Sequence, residues 1–269
     1  MNLNQLENTP PWEWPESAGQ TIRTALANRK GPADHRMLAA QLAGDYIVAS
    51  DAMVKALLGV LSDGTEPTDL RSRAAIALGP SIEGAEIDGF DDPELQSISR
   101  AVFDDARRIL RKLYSDQQLP LDVRRRVLEA AVRAPEDWQV EAARTAAASD
   151  EQAWRLTAVF CMRFVKGFDA QIMAALGSDD VEIQREAVQA AGAWSMDAAW
   201  KTVVGMVMST STPKDTRIAA IEAVVSIRPG AARELLEELR DSDDADIASA
   251  VEDACGEATA LEEFESDED

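Results

Sequence analysis

An apolar stripe of fixed spacing, returning about every thirty residues, limits what this chain can fold into more than any other feature. In Pro213–Val225 (PKDTRIAAIEAVV) the stripe is Ala220, Ile221 and Val224. With Arg217 as the reference position, Arg36, Arg71, Arg124, Arg155, Gln184 and Ala248 stand in equivalent places, at successive intervals of 35, 53, 31, 29, 33 and 31 residues. Three and four residues further on come Ala39 and Ala40, Ala74 and Ala75, Val127 and Leu128, Ala158 and Val159, and Ala187 and Val188. Seven further on come Ala43, Leu78, Ala131, Met162, Ala191 and Val224. Offsets of three, four and seven place side chains on one face of a helix. A helix pair of this length cannot bury such a face by itself and must stack on its neighbours.

The predicted helix boundaries repeat as well. An acid precedes the reference position by two residues in six copies (Asp34, Asp69, Asp122, Glu182, Asp215, Asp246), and Pro32, Pro67, Pro120 or Pro213 stands two before that. Both suit a helix N-terminus, where a missing N–H costs nothing and negative charge is favoured. Gly44, Gly79, Gly192 and Gly256, eight residues after the reference position, predict left-handed helix ends. In the last copy Glu252 interrupts the stripe, as expected where the outer side of a terminal repeat faces water.

DLRSRAAIALG (Asp69–Gly79) and VEIQREAVQAAG (Val181–Gly192) resemble the second-helix motif of HEAT repeats of the short bacterial type, similar to those of bilin lyases. The resemblance covers roughly residues 17–258 and implies an all-α fold. It implies an armadillo-like α-solenoid, a right-handed α/α superhelix of about seven helix pairs. Residues 1–16 then form an N-terminal Trp/Pro capping segment, 17–258 the solenoid with an acidic insertion at 80–97, and 259–269 an acidic, disordered tail. Such repeats often carry an Asp six residues before the arginine, forming a ladder between repeats. Ser149, Ser178, Ser211 and Ser242 stand there in this chain, so a ladder partly rebuilt from hydroxyls is expected.

The net charge of −22, with 49 acids against 27 bases, argues against nucleic acid and against an anionic membrane surface. MNLNQLENTP lacks the apolar run of a signal peptide, and no stretch reaches membrane-spanning length, so a cytoplasmic location is expected. Cys161 and Cys255 stand six and seven residues after their reference positions, three repeats apart, roughly 30 Å at ~10 Å per layer. They read as small buried fillers that form no disulfide within the chain.

Four features stand out as candidates for recognition. Trp12 and Trp14, in PPWEWP, are expected to cover the open side of the first repeat or to bind a partner. Pro80–Ser97 is rich in acids and reads as a solvated loop; the acid spacing of an EF-hand is missing. From Arg100 to Arg133 nine bases face five acids, one basic island in an otherwise acidic chain. It reads either as an anion site or as charges paired internally with the preceding insertion. The fourth is Glu151–Phe168, where Phe160 takes a place that is polar in most copies, close to Arg155 and Arg163. With Arg124, these three residues form a candidate partner surface on second helices, set against the alternative that Phe160 simply fills a gap.

No catalytic constellation is apparent. A single histidine, His35, supplies no zinc or iron set, and this separates the chain from the HEAT-type dioxygenase that hydroxylates a modified lysine. No cofactor is implied. The expected function is a non-enzymatic scaffold or adaptor binding a protein partner on its concave surface. The alternative is a bilin lyase-like or other small-molecule enzyme using the central aromatic and cationic side chains.

Overall fold

The computed structural model describes residues 1–92 and 95–267, with side chains to residue 261, and its regular elements among these are all helical. The chain divides into two compact units, 1–139 and 140–269. Unit 1 contains α1 (Leu3–Glu7), α2 (Ala18–Ala27), α3 (Ala33–Leu42), α4 (Asp51–Ser62), α5 (Thr68–Asp88), α6 (Arg100–Ser115) and α7 (Leu121–Ala131). α8 (Asp137–Ala147) spans the division. Unit 2 continues with α9 (Gln152–Met162), α10 (Asp169–Ala175), α11 (Val181–Ala193), α12 (Trp200–Met208), α13 (Lys214–Ile227), α14 (Pro229–Glu237) and α15 (Ala245–Asp267). In chain order α2 to α15 make seven pairs.

Within each unit the pairs stack as an α-solenoid. In unit 1, α2 packs on α4 and α4 on α6, while α3 packs on α5 and α5 on α7; in unit 2 the second helices α9, α11, α13 and α15 follow one another. The predicted stripe is the contact surface: Ala39, Ala40, Ala43, Val127, Leu128, Ala187, Val188, Ala191, Ala220, Ile221 and Val224 are all buried. Glu252, the interruption in the last copy, is exposed.

The prolines stand one residue outside the helices. Pro32, Pro67, Pro120 and Pro213 are N-caps with ψ of 138–141°. Their carbonyls accept the N–H of Arg36, Arg71, Arg124 and Arg217, which starts the ladder four residues on. Asp34, Asp69, Asp122 and Asp215 thereby fall in the first turn, where the helix dipole favours them.

The expected left-handed glycines are a correction. Gly89 and Gly167 alone among the described glycines have positive φ, and Gly79, Gly192 and Gly256 lie inside helices. Close approach is the reason for two of them. A Cβ on Gly44 would stand 3.2 Å from Ala77 Cα, and one on Gly192 would stand 3.0 Å from Ala223 Cβ. Each glycine thus lets the second helix of the next repeat rest on its backbone.

The segment 80–97 also differs from the expected loop. α5 continues through Pro80 to Asp88 and ends at Gly89, whose φ of 67° suits the turn. A proline within a helix costs about 3 kcal/mol. Burial of Ser81, Ile82 and Ala85 works against that cost, as do the contacts of Glu83 with Arg133 and of Asp88 with the Tyr46 hydroxyl. Beyond Gly89, Phe90 packs on Phe103, and Asp51 accepts both the N–H and the hydroxyl of Ser99. Glu94 of the insertion lies outside the described residues.

The N-terminal segment, residues 1–16, begins with a short helix. Asn2 and Gln5 form a reciprocal capping box, and Leu3 and Leu6 are buried. At the other end α15 runs on to Asp267, through much of the tail expected to be disordered from residue 259.

The serine ladder is not formed. The hydroxyls of Ser149, Ser178 and Ser242 accept N–H groups two residues on, inside their own turns, and Ser211 bonds Ser209. Links between successive repeats are made by other side chains. Gln152 reaches Asp180, Arg185 reaches Asp215, and Lys214 reaches Asp244 and Asp246. In unit 1 the corresponding link is buried: Arg36 grips Glu66 through two hydrogen bonds of 2.7 and 2.9 Å.

Candidate interaction surface

The reference position is a joint between the two helices of a repeat. Arg36 Nε donates to the Leu26 carbonyl at 2.9 Å, Arg71 Nε to Leu61 at 2.9 Å, and Arg217 Nε to Val207 at 2.7 Å. Gln184 does the same to Leu176 at 3.1 Å. Each acceptor lies at the end of the preceding first helix, where carbonyls have no partner within the helix. Arg155 follows this pattern with its Nη1, which donates to the carbonyls of Ser149 and Asp150 at 3.0 and 2.7 Å. Arg124, in unit 1, donates to Gln117 Oε1 at 2.9 Å. Two of the arginines singled out in the sequence therefore hold turns together. The clue was present in the sequence, since three of these arginines sit ten residues after the carbonyl they bind.

Phe160 and Arg163 are placed differently. Both stand at the end of α9, half-buried rather than enclosed. The Phe160 and Phe164 rings pack 5.4 Å apart at 48°, and the Arg163 guanidinium lies 5.6 Å from the centre of the Phe164 ring. Trp194, also half-buried, donates its indole N–H to the Met162 carbonyl at 2.7 Å, and Lys166 lies 5.5 Å above its ring. On α13, Glu222 is exposed as a residue, but partial burial of its carboxyl raises it above the usual glutamate range. The Arg163 charge opposes that rise and Glu257 adds to it. The structure thus brings Phe160 together with Arg163, adds Phe164, and shows Glu222 within electrostatic reach. Glu222 could not be picked out in a chain with 49 acids.

The two N-terminal tryptophans part company. Trp14 packs on the apolar core of unit 1 and donates its indole N–H to the carbonyls of Leu6 and Thr9. Trp12, two residues away, is 76% exposed.

The basic island is largely paired. Arg133 meets Glu83, Arg125 and Arg126 share Glu129, and Arg107 reaches Glu136 at 3.3 Å. Arg100 lies 4.5 Å over the Phe90 ring. Arg107, Arg108 and Arg111 also line a recess of about 270 Å³ with Asp104 and Glu136.

Larger grooves occur in both units. In unit 1 a groove of about 540 Å³ runs between α1, α3 and α5 and contains His35. In unit 2 an acidic groove of about 510 Å³ lies between α13 and α15 and contains Glu222, Asp253 and Glu257. Among the described residues no group of three or more His, Cys, Asp or Glu side chains is arranged to hold a metal ion. Cys161 and Cys255 are buried, and neither is in a disulfide. No helix among the described residues is long and apolar enough to cross a membrane.

Comparison with known proteins places these helix pairs. Residues 170–255, from the start of α10 into α15, match the family model for HEAT repeats. A search of curated protein sequences found no match. Similar solved structures include human deoxyhypusine hydroxylase in complex with glycerol, at 18% identity and a TM-score of 0.44 over 96% of this chain and 88% of that one. They include the E. coli YibA protein, at 14% identity and a TM-score of 0.46 over 94% of each chain. A C-terminal fragment of the Chaetomium thermophilum cohesin loader matches at 14% identity and a TM-score of 0.33, over 99% of this chain and 30% of that one. By its sequence match and its stacked helix pairs, the chain carries HEAT repeats, and those matched lie at residues 170–255.

Proposed function

We propose that this protein is a non-enzymatic scaffold that docks a protein segment on the second-helix surface at the end of α9. The observation that supports this reading is the half-buried Phe160–Phe164 pair with Arg163 beside it. Aromatic side chains with an adjacent guanidinium are the residue types that carry most binding energy at interfaces. Arg155 supports the surface from below by holding the turn before α9, and Arg124 plays the matching structural part in unit 1. Trp12 is a candidate for a further contact because nothing in its own repeat covers it to any large extent. The grooves of both units open to solvent, which suits a docked polypeptide better than an enclosed small molecule.

The test is affinity capture with the wild-type chain, followed by titration of the captured partner against the Phe160→Ala, Arg163→Ala double variant. The variant is expected to keep its helical circular dichroism and to lose at least about tenfold in affinity, the cost of one interface anchor. Full affinity in the folded variant overturns the assignment of this surface. If the variant unfolds, Phe160 is a packing residue, and Arg163→Ala alone then reports on the surface.

A further inference from the structure

We infer that the exposed face of α6, in unit 1, is a second docking site, for an acidic segment of a partner protein. This surface is independent of the one on α9. α6 is strongly two-sided: Val102, Phe103, Ala106 and Leu110 are buried in the core, while Arg108, Arg111 and Lys112 face solvent. The buried side fixes the helix, so the arginines project from a rigid element.

The structure divides the basic island into two parts with different uses. Arg125, Arg126 and Arg133 are held by Glu129 and Glu83, and their charge is consumed inside the unit. On α6 the compensation is weak. Arg107 reaches Glu136 at 3.3 Å and lies 5.3 Å from the centre of the Phe103 ring, while its buried Nε has no hydrogen-bond partner among the described residues. The Arg108 pair with Asp105 is an exposed contact within one turn of helix, of a kind that contributes little. Arg107, Arg108 and Arg111 converge on the same 270 Å³ recess, large enough for a carboxylate and part of its stem.

Geometry and charge both point to a polypeptide. Arg107 and Arg111 are one helical turn apart, about 5–6 Å along the axis. Carboxylates on alternate residues of an extended chain are spaced by about 6–7 Å, so an acid-x-acid segment can meet both forks. A nucleic acid is disfavoured. Asp104 and Glu136 line the same recess, and the −22 net charge of the chain repels a polyphosphate, whose binding needs many unopposed cations. A short acidic segment requires only two or three.

The experiment uses the full chain and a fluorescein-labelled peptide of about twelve residues in which Glu alternates with Ala, followed by fluorescence anisotropy at low and at physiological salt. Saturable binding that weakens as salt rises is expected. Arg107→Ala, Arg111→Ala should weaken it at least tenfold, and Arg163→Ala should leave it unchanged. Arg111→Gln, Lys112→Gln removes charge only from exposed side chains. It gives a second measurement should the first variant fold poorly, and should weaken binding at least threefold. Absence of binding by the wild type at low salt overturns the proposal, as does unchanged affinity in both folded variants. A single-stranded RNA of equal charge that binds more tightly than the peptide overturns the choice of partner.

Discussion

Trp12 and Trp14 look alike in the sequence and have opposite surroundings in the fold. Trp14 covers apolar surface and makes two hydrogen bonds, whereas Trp12 stands in solvent. Trp14→Ala should therefore cost about 2–4 kcal/mol of unfolding free energy, and Trp12→Ala less than about 0.5 kcal/mol, measured by denaturant titration. Equal losses would show that Trp12 is also part of the cap. A second residue-scale expectation concerns Glu66. Its hydrogen bonds from Arg36 hold its carboxyl below the usual glutamate range, with the Arg36 and Arg29 charges helping. Because the folded form has the lower pKa, the stabilisation is complete above the ordinary value of about 4.5 and disappears as pH falls through the depressed one. Asp63, held down first by Thr65 and then by Arg29, follows the same sign. Glu66→Gln should accordingly lower Tm at pH 7 and converge with the wild type in strong acid; a constant gap across that range would contradict the assignment.

At the scale of the helices, the sequence revealed what depends on periodicity and concealed what depends on a partner far along the chain. The buried face of each second helix could be counted off from Arg217; about seven pairs were expected, and seven stand among the described residues. The extension of α5 could not be foreseen, because Pro80 is a local stop signal overridden by Tyr46 and Arg133, 34 and 53 residues away in sequence. The α1 helix was missed for a different reason: its capping box of Asn2 and Gln5 is a local signal that the polar composition obscured. The half-buried setting of Phe160 was partly readable, since an aromatic residue broke the polar pattern. Arg155 looked equivalent to Arg163 until the carbonyls of Ser149 and Asp150 came into view. Pro80 also yields a test. An Ala there restores a helical N–H, worth about 3 kcal/mol, and frees the unfolded chain, at a cost of about 1 kcal/mol. Pro80→Ala should stabilise the protein by about 1–2 kcal/mol in urea titration, and a loss of stability would show that the proline shapes the helix in a way its neighbours need.

For the molecule as a whole, the −22 charge sets the response to salt. Screening weakens the exposed links Lys214–Asp244 and Arg185–Asp215, but exposed pairs of this kind contribute little. It also relieves repulsion among the unmatched acids, which acts over the whole surface. The second effect should win, so Tm is expected to rise by about 2–4 °C between dilute buffer and about 0.5 M NaCl, measured by calorimetry. A fall in Tm would mean that the ion pairs between repeats carry more of the stability than their exposure indicates. The glycines beneath Ala77 and Ala223 have a consequence of another kind. They set the thickness of a step. A methyl group on Gly192 would act as a shim, moving α13 outward by a few tenths of an ångström and tipping α14 and α15 with it. Drift in the surface residues of a repeat changes what it can touch; drift at this one hydrogen changes where every later helix of its unit points.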